Sequence, residues 1–124
     1  MKLFVYGTLK RGWGNHSLIK EADGKFLYKD FTKDKFCLST VGFPYMFRCA
    51  SDCTYRGYVL GEVYLVPKTK IYLIDALEGH PEWYNREIIE LQNGDKAWAY
   101  IMPSFDCQHY EGEIIKPYKD KLEF

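Results

Sequence analysis

The sequence has no excess of charge of either sign and no long apolar run. Lys and Arg together number 17, as do Asp and Glu, so the formal net charge of the 124 residues is zero. A chain without a net field has no general attraction for nucleic acid or for an anionic membrane surface. No segment approaches the ~20 consecutive apolar residues of a membrane span, and the apolar start "MKLFVYG" is too short for a signal peptide. We expect a cytoplasmic protein that binds neither nucleic acid nor membrane.

Cysteine is scarce, and its spacing argues against a metal centre. The four cysteines, Cys37, Cys49, Cys53 and Cys107, form no C-x-x-C pair, which is a spacing typical of zinc sites. The sequence also contains no G-x-S-x-G nucleophile elbow and no H-E-x-x-H zinc motif. These absences argue against the common serine-hydrolase and zinc-hydrolase classes, and we expect free thiols and no bound metal.

Aromatic residues, in contrast, are abundant. They make up 18% of the chain, with 11 Tyr and 8 Phe, and this composition favours strands. Short β-rich runs bounded by Gly or Pro recur along the chain. They cover residues 2–6, 25–31, 35–40, 44–49, 55–66, 86–92 and 96–102. The sequence predicts a single α+β domain over residues 1–124, a small mixed sheet made mainly of antiparallel strands.

Two helical segments interrupt these strands. The stretch "NHSLIKEA", residues 15–22, predicts a short helix capped by Asn15. Apolar residues recur at helical spacing over residues 71–78, and Thr69 precedes them as the predicted N-cap of a second helix. One or two short helices are therefore expected to pack against the sheet.

A tight turn and a polar tail complete the predicted organisation. Asn93-Gly94 lies between two apolar runs and is a strong signal for a β-hairpin. From Pro103 onward the chain is polar, and we expect this tail to run along the surface.

The first strand leads into a basic turn that is rich in glycine. The stretch reads "FVYGTLKRGWGNH" over residues 4–16. Gly7 lets the backbone turn without the penalty of a Cβ atom, so the N–H groups that follow can point into one concavity and bind a carboxylate or an oxyanion. An ordinary strand-to-loop turn has the same local sequence, and the short motif by itself leaves both interpretations open.

A carboxylate stands at the end of the second predicted helix, in "LIDALEGHPEWYNR". Glu78 occupies the last turn before Gly79 and Pro81 break the helix, where the negative end of the helix dipole disfavours a charge. Such a position can raise the pKa of a carboxyl group toward the range that suits general acid–base catalysis. A solvated surface glutamate is the alternative interpretation.

Three blocks of the sequence resemble one known family. In order and at similar spacing, "FVYGTLKRGWGNH", "GYVLGEVYLV" and "IDALEGHPEWYNR" resemble the blocks of γ-glutamylcyclotransferase-like proteins, most closely those of the γ-glutamylamine cyclotransferase branch. The resemblance covers residues 3–102. It implies a compact β-barrel fold, a small-molecule γ-glutamyl substrate and no cofactor.

The resemblance also implies roles for particular residues. The family loop that cradles the γ-glutamyl group corresponds to Tyr6, Gly7, Thr8 and Leu9. The family's acid–base glutamate corresponds to Glu78. In the family reaction, the α-amine of a γ-glutamyl amide attacks the γ-carbonyl of the same molecule, which releases 5-oxoproline and a free amine.

This reaction needs few protein groups. The α-amine of the substrate is mostly protonated at neutral pH, so a base must remove a proton before the nitrogen can attack, and the same group can then protonate the leaving amine. Because nucleophile and electrophile belong to one molecule, holding the substrate folded supplies much of the acceleration, with effective molarities on the order of 10⁵ to 10⁸ M. One carboxyl group therefore suffices, without a Ser, Cys or metal nucleophile.

Further candidate residues accompany the three blocks. Asn15 belongs to the first block, although helix capping explains it equally well. Tyr84 and Arg86 follow the second helix and are candidates for contacting the acid–base group or the ligand, or for packing under the turn. Tyr118 in the tail is a candidate for closing the pocket, as a C-terminal aromatic residue does in some relatives. Glu62 lies between apolar strand residues, and we expect a paired structural carboxylate there rather than a second acid–base group.

The leaving amine and the oligomeric state stay open at this point, because the tail after Met102 does not align with any branch of the family. One alternative function is a γ-glutamyl-removing step in a biosynthetic pathway, acting on a larger acceptor. A different class is a non-catalytic small-molecule-binding module on the same fold. The carboxylate at the helix end argues against such a module.

Overall fold

The chain folds into strands and short helices that are described over residues 1–40, 44–49, 55–80, 82, 84–105 and 114–124 of the computed structural model. In chain order the elements are β1 (Lys2–Val5), α1 (His16–Glu21), β2 (Lys25–Phe31), β3 (Cys37–Ser39), β4 (Tyr45–Cys49), β5 (Tyr58–Leu65), a 3-10 helix (Lys68–Lys70), α2 (Tyr72–Glu78), β6 (Asn85–Glu90), β7 (Lys96–Phe105) and β8 (Lys121–Leu122). No helix among these residues has the length and apolar character needed to cross a membrane.

The strands form one mixed sheet that curls into a half-barrel. Its order is β2-β5-β1-β7-β4-β3, with β6 also paired to β7 and β8 to β5. Among the described strands, four pairs are antiparallel and three are parallel. The predicted α+β class, with a mainly antiparallel sheet and two short helices, is confirmed.

Strand β7 exchanges one parallel neighbour for another along its length. Leu3 of β1 pairs with Trp98, whereas Met46 of β4 pairs with Ile101 three residues later. Strand β6 occupies the opposite edge of β7 over the same stretch. Strands β1 and β4 therefore pair with successive stretches of the same edge of β7 and diverge from each other there. The chain that leaves β1 enters the space between them.

Alternating side chains of β1 contact two different core clusters. Leu3 and Val5 face the cluster that both helices join, through Ile19 of α1 and Ile74 of α2. Phe4 faces the second cluster, on the other side of the sheet, as expected for the two-residue repeat of a strand. Because all three β1 side chains are buried, the point at which the chain enters the next loop is fixed by packing on both faces.

Several predicted elements are confirmed. Strand β2 spans residues 25–31 as predicted, and α2 ends at Glu78. Asn93-Gly94 lies in the turn between β6 and β7, which pair antiparallel on either side of it.

The predicted N-cap at Thr69 is wrong. Thr69 lies inside the 3-10 helix, whose first turn is closed by a hydrogen bond from the Lys70 N–H to the Pro67 carbonyl (3.0 Å). Ile71, which directly precedes α2, has helical backbone angles and no side-chain cap. The fixed φ of proline starts the helical turn before the residue that local sequence favours as a cap.

The tail is not confined to the surface, contrary to expectation. Its end returns to the sheet as β8, which pairs with β5, and Leu122 is buried in the second core cluster. The Phe124 ring lies 4.6 Å from the Trp13 ring, centroid to centroid. Apolar residues near the end of a polar segment, Leu122 in the core and Phe124 against Trp13, thus attach the tail to the sheet.

Candidate active site

A cavity of about 410 Å³ opens where β1 gives way to β4 beside β7. Its walls come from the end of β1 and the following loop, the start of β4, the last turn of α2 and β7. The described lining residues are Phe4, Val5, Tyr6, Gly7, Thr8, Leu9, Asn15, Pro44, Ala76, Leu77, Glu78, Gly79, Tyr84 and Tyr100. Glu78 is the one carboxylic acid among them, and they include no Lys, Arg or His.

Tyr6 bridges the two strands that part at this point. Its hydroxyl donates a hydrogen bond to the carbonyl oxygen of Tyr100 on β7 (2.6 Å) and accepts one from the N–H of Met46 on β4 (2.9 Å). Burial raises the pKa of this hydroxyl well above its usual range, so it stays protonated at neutral pH. One side chain therefore satisfies two backbone groups and supports the cavity wall.

The backbone of residues 7–9 reaches the cavity because position 7 has no side chain. A Cβ atom on Gly7 would lie 2.9 Å from Cγ of Pro44. Gly7 does not have a positive φ, so the close contact with Pro44, and not an unusual turn conformation, is what requires glycine here. No described residue accepts a hydrogen bond from the N–H groups of Gly7, Thr8 or Leu9. Within the described part of the chain, these three donors are therefore not used by protein acceptors.

Hydrogen bonds from the start of α1 fix the shape of this loop. The Asn15 side-chain amide donates to the Thr8 hydroxyl (2.9 Å), and the Asn15 N–H donates to the Thr8 carbonyl (3.1 Å). His16 Nδ1 donates to the Leu9 carbonyl (2.8 Å). The predicted capping role of Asn15 is wrong, because its side chain makes no cap hydrogen bond in α1 and is engaged by Thr8 instead.

Glu62 anchors the same loop from outside the cavity. Its carboxylate accepts hydrogen bonds from the Arg11 N–H (2.8 Å) and the Tyr64 hydroxyl (2.9 Å), and Arg11 Nε lies 3.4 Å away. Burial raises the pKa of Glu62, but these hydrogen bonds and the Arg11 charge outweigh burial and hold the pKa below its usual value. Glu62 is thus a paired carboxylate, as predicted.

Glu78 is the last residue of α2 and is half-buried in the cavity wall. The helix ends there because Gly79 adopts the left-handed conformation, with φ 63° and ψ 35°. Burial raises the pKa of Glu78 to about 7, and the negative end of the helix dipole acts in the same direction. No hydrogen bond from another described residue lowers it. A carboxyl group in this state can both accept and release a proton near neutral pH.

Two tyrosines of the cavity wall donate their hydroxyl protons to protein acceptors. The Tyr84 hydroxyl donates to the Pro44 carbonyl (3.1 Å), and the Tyr100 hydroxyl donates to Oδ1 of Asp75 (2.6 Å). Burial raises the pKa of both hydroxyls. Both tyrosines therefore stay neutral, and their protons point at the protein.

Arg86 lies outside the described lining of the cavity. Its guanidinium contacts both oxygens of Asp75, at 2.6 and 3.2 Å. Its backbone N–H donates to Nδ1 of His80 (3.2 Å). Arg86 thus ties α2 to β6.

The structure brings most of the predicted site residues together. Those that line the cavity are Tyr6, Gly7, Thr8, Leu9, Asn15, Glu78 and Tyr84. It does not bring Tyr118 there, since that side chain is 75% exposed and its backbone bonds to Lys121. The sequence reasoning missed Pro44 and Tyr100. The local sequence of β7, in which Tyr100 stands between the small residue Ala99 and the apolar Ile101, is a feature that could have drawn attention to Tyr100. No feature of the local sequence indicates that Pro44 lines the cavity.

The described part of the chain contains no group of three or more His, Cys, Asp or Glu residues that could hold a metal ion. Cys37 is buried and forms no disulfide with another described residue. What the described lining does offer is one carboxyl group with a pKa of about 7, together with a loop whose N–H groups at residues 7–9 have no acceptor among the described residues. This combination can bind an anionic oxygen and transfer a proton next to it.

Comparison with known proteins connects this cavity to one family. The family model described as "Gamma-glutamyl cyclotransferase, AIG2-like" matches residues 3–120. A Methanocaldococcus jannaschii protein whose provisional name is gamma-glutamylcyclotransferase is 34% identical over 105 residues, which are 82% of this chain and 83% of that protein. Gamma-glutamylaminecyclotransferase A of Danio rerio is 31% identical over 118 residues, covering 86% of this chain and 71% of the relative.

A solved structure shows the same architecture. The crystal structure of an AIG2-like protein from Mus musculus superposes with a TM-score of 0.74 at 25% sequence identity, covering 94% of this chain and 86% of the mouse chain. The two chains therefore share their fold over most of their length.

Proposed function

The chain belongs to the gamma-glutamyl cyclotransferase, AIG2-like family, and on this basis we propose that it cleaves a γ-glutamyl amide by attack of the substrate's own α-amine, releasing 5-oxoproline and a free amine. The observation that carries the proposal is the half-buried Glu78 carboxyl, which has a pKa of about 7 and lines the same cavity as the loop of residues 6–9. Curated relatives are named as γ-glutamylcyclotransferases, and the specific amide substrate is our proposal.

Glu78 acts as the acid–base catalyst in this proposal. With a pKa near neutrality, about half of the carboxyl groups are ionised at pH 7 and can take a proton from the α-ammonium group. The neutral amine then attacks the γ-carbonyl, and the C–N bond to the leaving group breaks as Glu78 returns the proton to the departing nitrogen. The ring nitrogen gives up its second proton to the released amine, which departs as an ammonium ion. The same residue therefore serves both halves of the reaction, and its charge state is restored at the end.

The loop of residues 7–9 holds the anionic oxygens of the substrate in this proposal. Its N–H groups lack acceptors among the described residues, and N–H groups arranged in a concavity bind carboxylate or developing oxyanion. A γ-glutamyl chain held at its α-carboxylate, with its amine at Glu78, is bent toward the five-membered ring of the product. Orientation of this kind supplies much of the rate of an intramolecular reaction.

The charges of the cavity favour a γ-glutamylamine over a γ-glutamyl amino acid. An α-amino acid as leaving group carries a second carboxylate next to the scissile nitrogen, and burying that carboxylate requires a cation or N–H donors beyond those of residues 7–9. The described lining contains no Lys, Arg or His, and it contains the acidic Glu78. A leaving amine with an uncharged carbon chain next to the nitrogen matches these walls, which include Leu77 and Ala76.

Isotope labelling tests the reaction type. In ¹⁸O-labelled water, a γ-glutamyl amine should give unlabelled 5-oxoproline, because no water oxygen enters the product. A substrate whose α-amine is acetylated should not react, since its nucleophile is blocked. Labelled glutamate would identify a hydrolase, turnover of the acetylated compound would exclude internal attack, and absence of any product would point to a binding module.

A substrate panel tests the leaving group. Mass detection of 5-oxoproline from γ-glutamyl-ε-lysine, from simple γ-glutamyl amines and from γ-glutamyl dipeptides ranks the candidates directly. We expect the amines to be cleaved faster than the dipeptides.

The proposal includes a single domain over residues 1–124, supported by the pairing of β8 with β5, and a cytoplasmic location.

A further inference from the structure

We propose that Tyr84 and Tyr100 form, together with Glu78, an acceptor wall that binds the α-ammonium group of the substrate. The inference rests on the proposed function, because that function supplies an α-amino acid as the ligand. It assigns a binding role to Tyr100 and a positioning role to Asp75 and Arg86.

The direction of the Tyr100 hydrogen bond is fixed by its partner. Asp75 is held by two contacts with the Arg86 guanidinium, at 2.6 and 3.2 Å, and both side chains are more than four-fifths buried. A carboxylate whose two oxygens both contact a guanidinium, which has only donors, acts as an acceptor. The Tyr100 hydroxyl, 2.6 Å from Oδ1 of Asp75, must therefore be the donor.

The same reasoning applies to Tyr84. Its hydroxyl lies 3.1 Å from the carbonyl oxygen of Pro44, and a carbonyl has no proton to give. Each hydroxyl has one proton and retains lone pairs after donating it. Tyr84 and Tyr100 can therefore offer only acceptors to a ligand in the cavity, and neither can donate to Glu78.

Tyr6 differs from these two tyrosines in a way that sharpens the assignment. Its hydroxyl already donates to the Tyr100 carbonyl and accepts from the Met46 N–H. It is therefore occupied in both directions and is not part of the acceptor wall. Although three tyrosines line the cavity, the hydrogen bonds select two of them.

The cavity thus combines two kinds of polar group. The loop contributes N–H groups of residues 7–9 that no described residue accepts. Tyr84, Tyr100 and Glu78 line the same cavity, where burial and the nearby Glu78 charge both raise the pKa of the two hydroxyls. An amino acid with a free ammonium and a free carboxylate on one carbon satisfies both kinds of group in a single orientation. This arrangement selects a free α-amino acid end, and it brings the ammonium proton to Glu78.

A pair of ligands that differ in one group tests the acceptor wall. L-glutamine and glutaramate are identical except for the α-ammonium group, which glutaramate lacks. Their dissociation constants would be measured by calorimetry on the wild type, on Tyr100→Phe and on the control Tyr28→Phe. Tyr28 is a matched control because its hydroxyl also donates to a carboxylate, that of Asp95, away from the cavity lining.

We expect Tyr100→Phe to weaken glutamine binding by about 10- to 100-fold, as expected for a lost hydrogen bond to a charged group, and to leave glutaramate binding unchanged. Tyr28→Phe should change neither constant. An equal loss for both ligands, or no loss for glutamine, would overturn the inference. If Tyr100→Phe does not fold, Tyr84→Phe is measured in the same way and must show the same selective loss.

The outcome also separates this inference from the proposed function. If the wild type releases no 5-oxoproline from any γ-glutamyl amine, the proposed function fails. If the wild type is active but the two Phe variants retain the preference for glutamine over glutaramate, only the acceptor wall is refuted.

Discussion

Glu62 and Glu78 both belong to the surroundings of one loop, and their pKa values are shifted in opposite directions. Glu62 is 5% exposed, yet its pKa lies below its usual value of 4.5. Glu78 is more accessible, and its pKa is raised to about 7. The hydrogen bonds from Arg11 and Tyr64 to Glu62 account for the difference, because Glu78 receives none from a described residue. Burial acts on both carboxylates, and the hydrogen-bond partners decide whether each is structural or able to exchange protons.

The neighbouring tyrosines repeat the contrast. Tyr64 donates its hydroxyl proton to Glu62 and stabilises the ionised form. Tyr84 and Tyr100, which line the cavity with Glu78, donate to Pro44 and Asp75 instead. One residue type therefore supports a fixed charge at Glu62 and leaves a carboxyl group free to titrate at Glu78.

Replacement of the titrating carboxyl should have the largest effect. Glu78→Gln keeps the shape of the side chain but removes the base, so we expect turnover to fall by roughly 10² to 10⁴. Release of 5-oxoproline from a saturating γ-glutamyl amine, followed by mass detection, measures the loss. Glu62→Gln is the matched control and should keep most of its activity at temperatures where it is folded. Full activity in Glu78→Gln would remove this carboxyl from the mechanism.

The pH dependence of kcat/KM in the wild type should report the raised pKa of Glu78. The base must be ionised to accept a proton, so kcat/KM should fall about tenfold for each pH unit below about pH 7. Rates measured from about pH 5 to pH 8 locate this limb. A limb near pH 4.5, the usual value for Glu, would mean that the base is not in the environment described here.

The free energy of unfolding at pH 8 should rise in Glu78→Gln and fall in Glu62→Gln, relative to the wild type. The raised pKa of Glu78 means that the folded state favours the protonated form, so its contribution to stability is lost as pH rises from about 4.5 to about 7. Glu78→Gln should therefore be more stable than the wild type at pH 8, by about 1 to 3 kcal/mol, and the gain should vanish toward pH 4.5.

For Glu62 the sign is reversed. Its lowered pKa stabilises the folded state above the usual Glu value, and this contribution is lost as pH falls through the folded-state pKa. Glu62→Gln should be less stable than the wild type at pH 8, and the difference should shrink in acid. Urea unfolding of both variants at two pH values checks both signs. A change of the same sign at pH 8 would show that the two carboxylates do not differ as described.

Features that depend on neighbouring residues were predictable from the sequence. Strand β2 and the end of α2 at Glu78 follow from short-range patterns and from Gly79, which stops the helix. The strand-to-loop transition at Gly7 was also predictable, although the reason for glycine, the contact with Pro44, was not. The resemblance to the family supplied the pairing of Glu78 with the loop.

Features that depend on contacts between distant residues could not be predicted. The hydrogen bond from Tyr6 to Tyr100 joins residues 94 positions apart, and that from Tyr84 to Pro44 joins residues 40 apart. Asn15 shows the same limit at short range, because a tertiary partner, Thr8, takes the side chain that local rules assign to a helix cap. Hydrogen-bond direction in the cavity belongs to this second group.

The contact between Gly7 and Pro44 bears on how the substrate range of such a protein can evolve. A side chain at position 7 would displace Pro44, and the carbonyl of Pro44 holds the hydroxyl of Tyr84, so one mutation there disturbs three residues at once. Leu77 lines the same cavity but is 42% exposed, and it has little packing to lose. Substitutions at Leu77 on α2 therefore change the cavity wall at a lower cost in packing than substitutions at Gly7. We expect changes in leaving-group preference to arise on α2 more readily than in the loop.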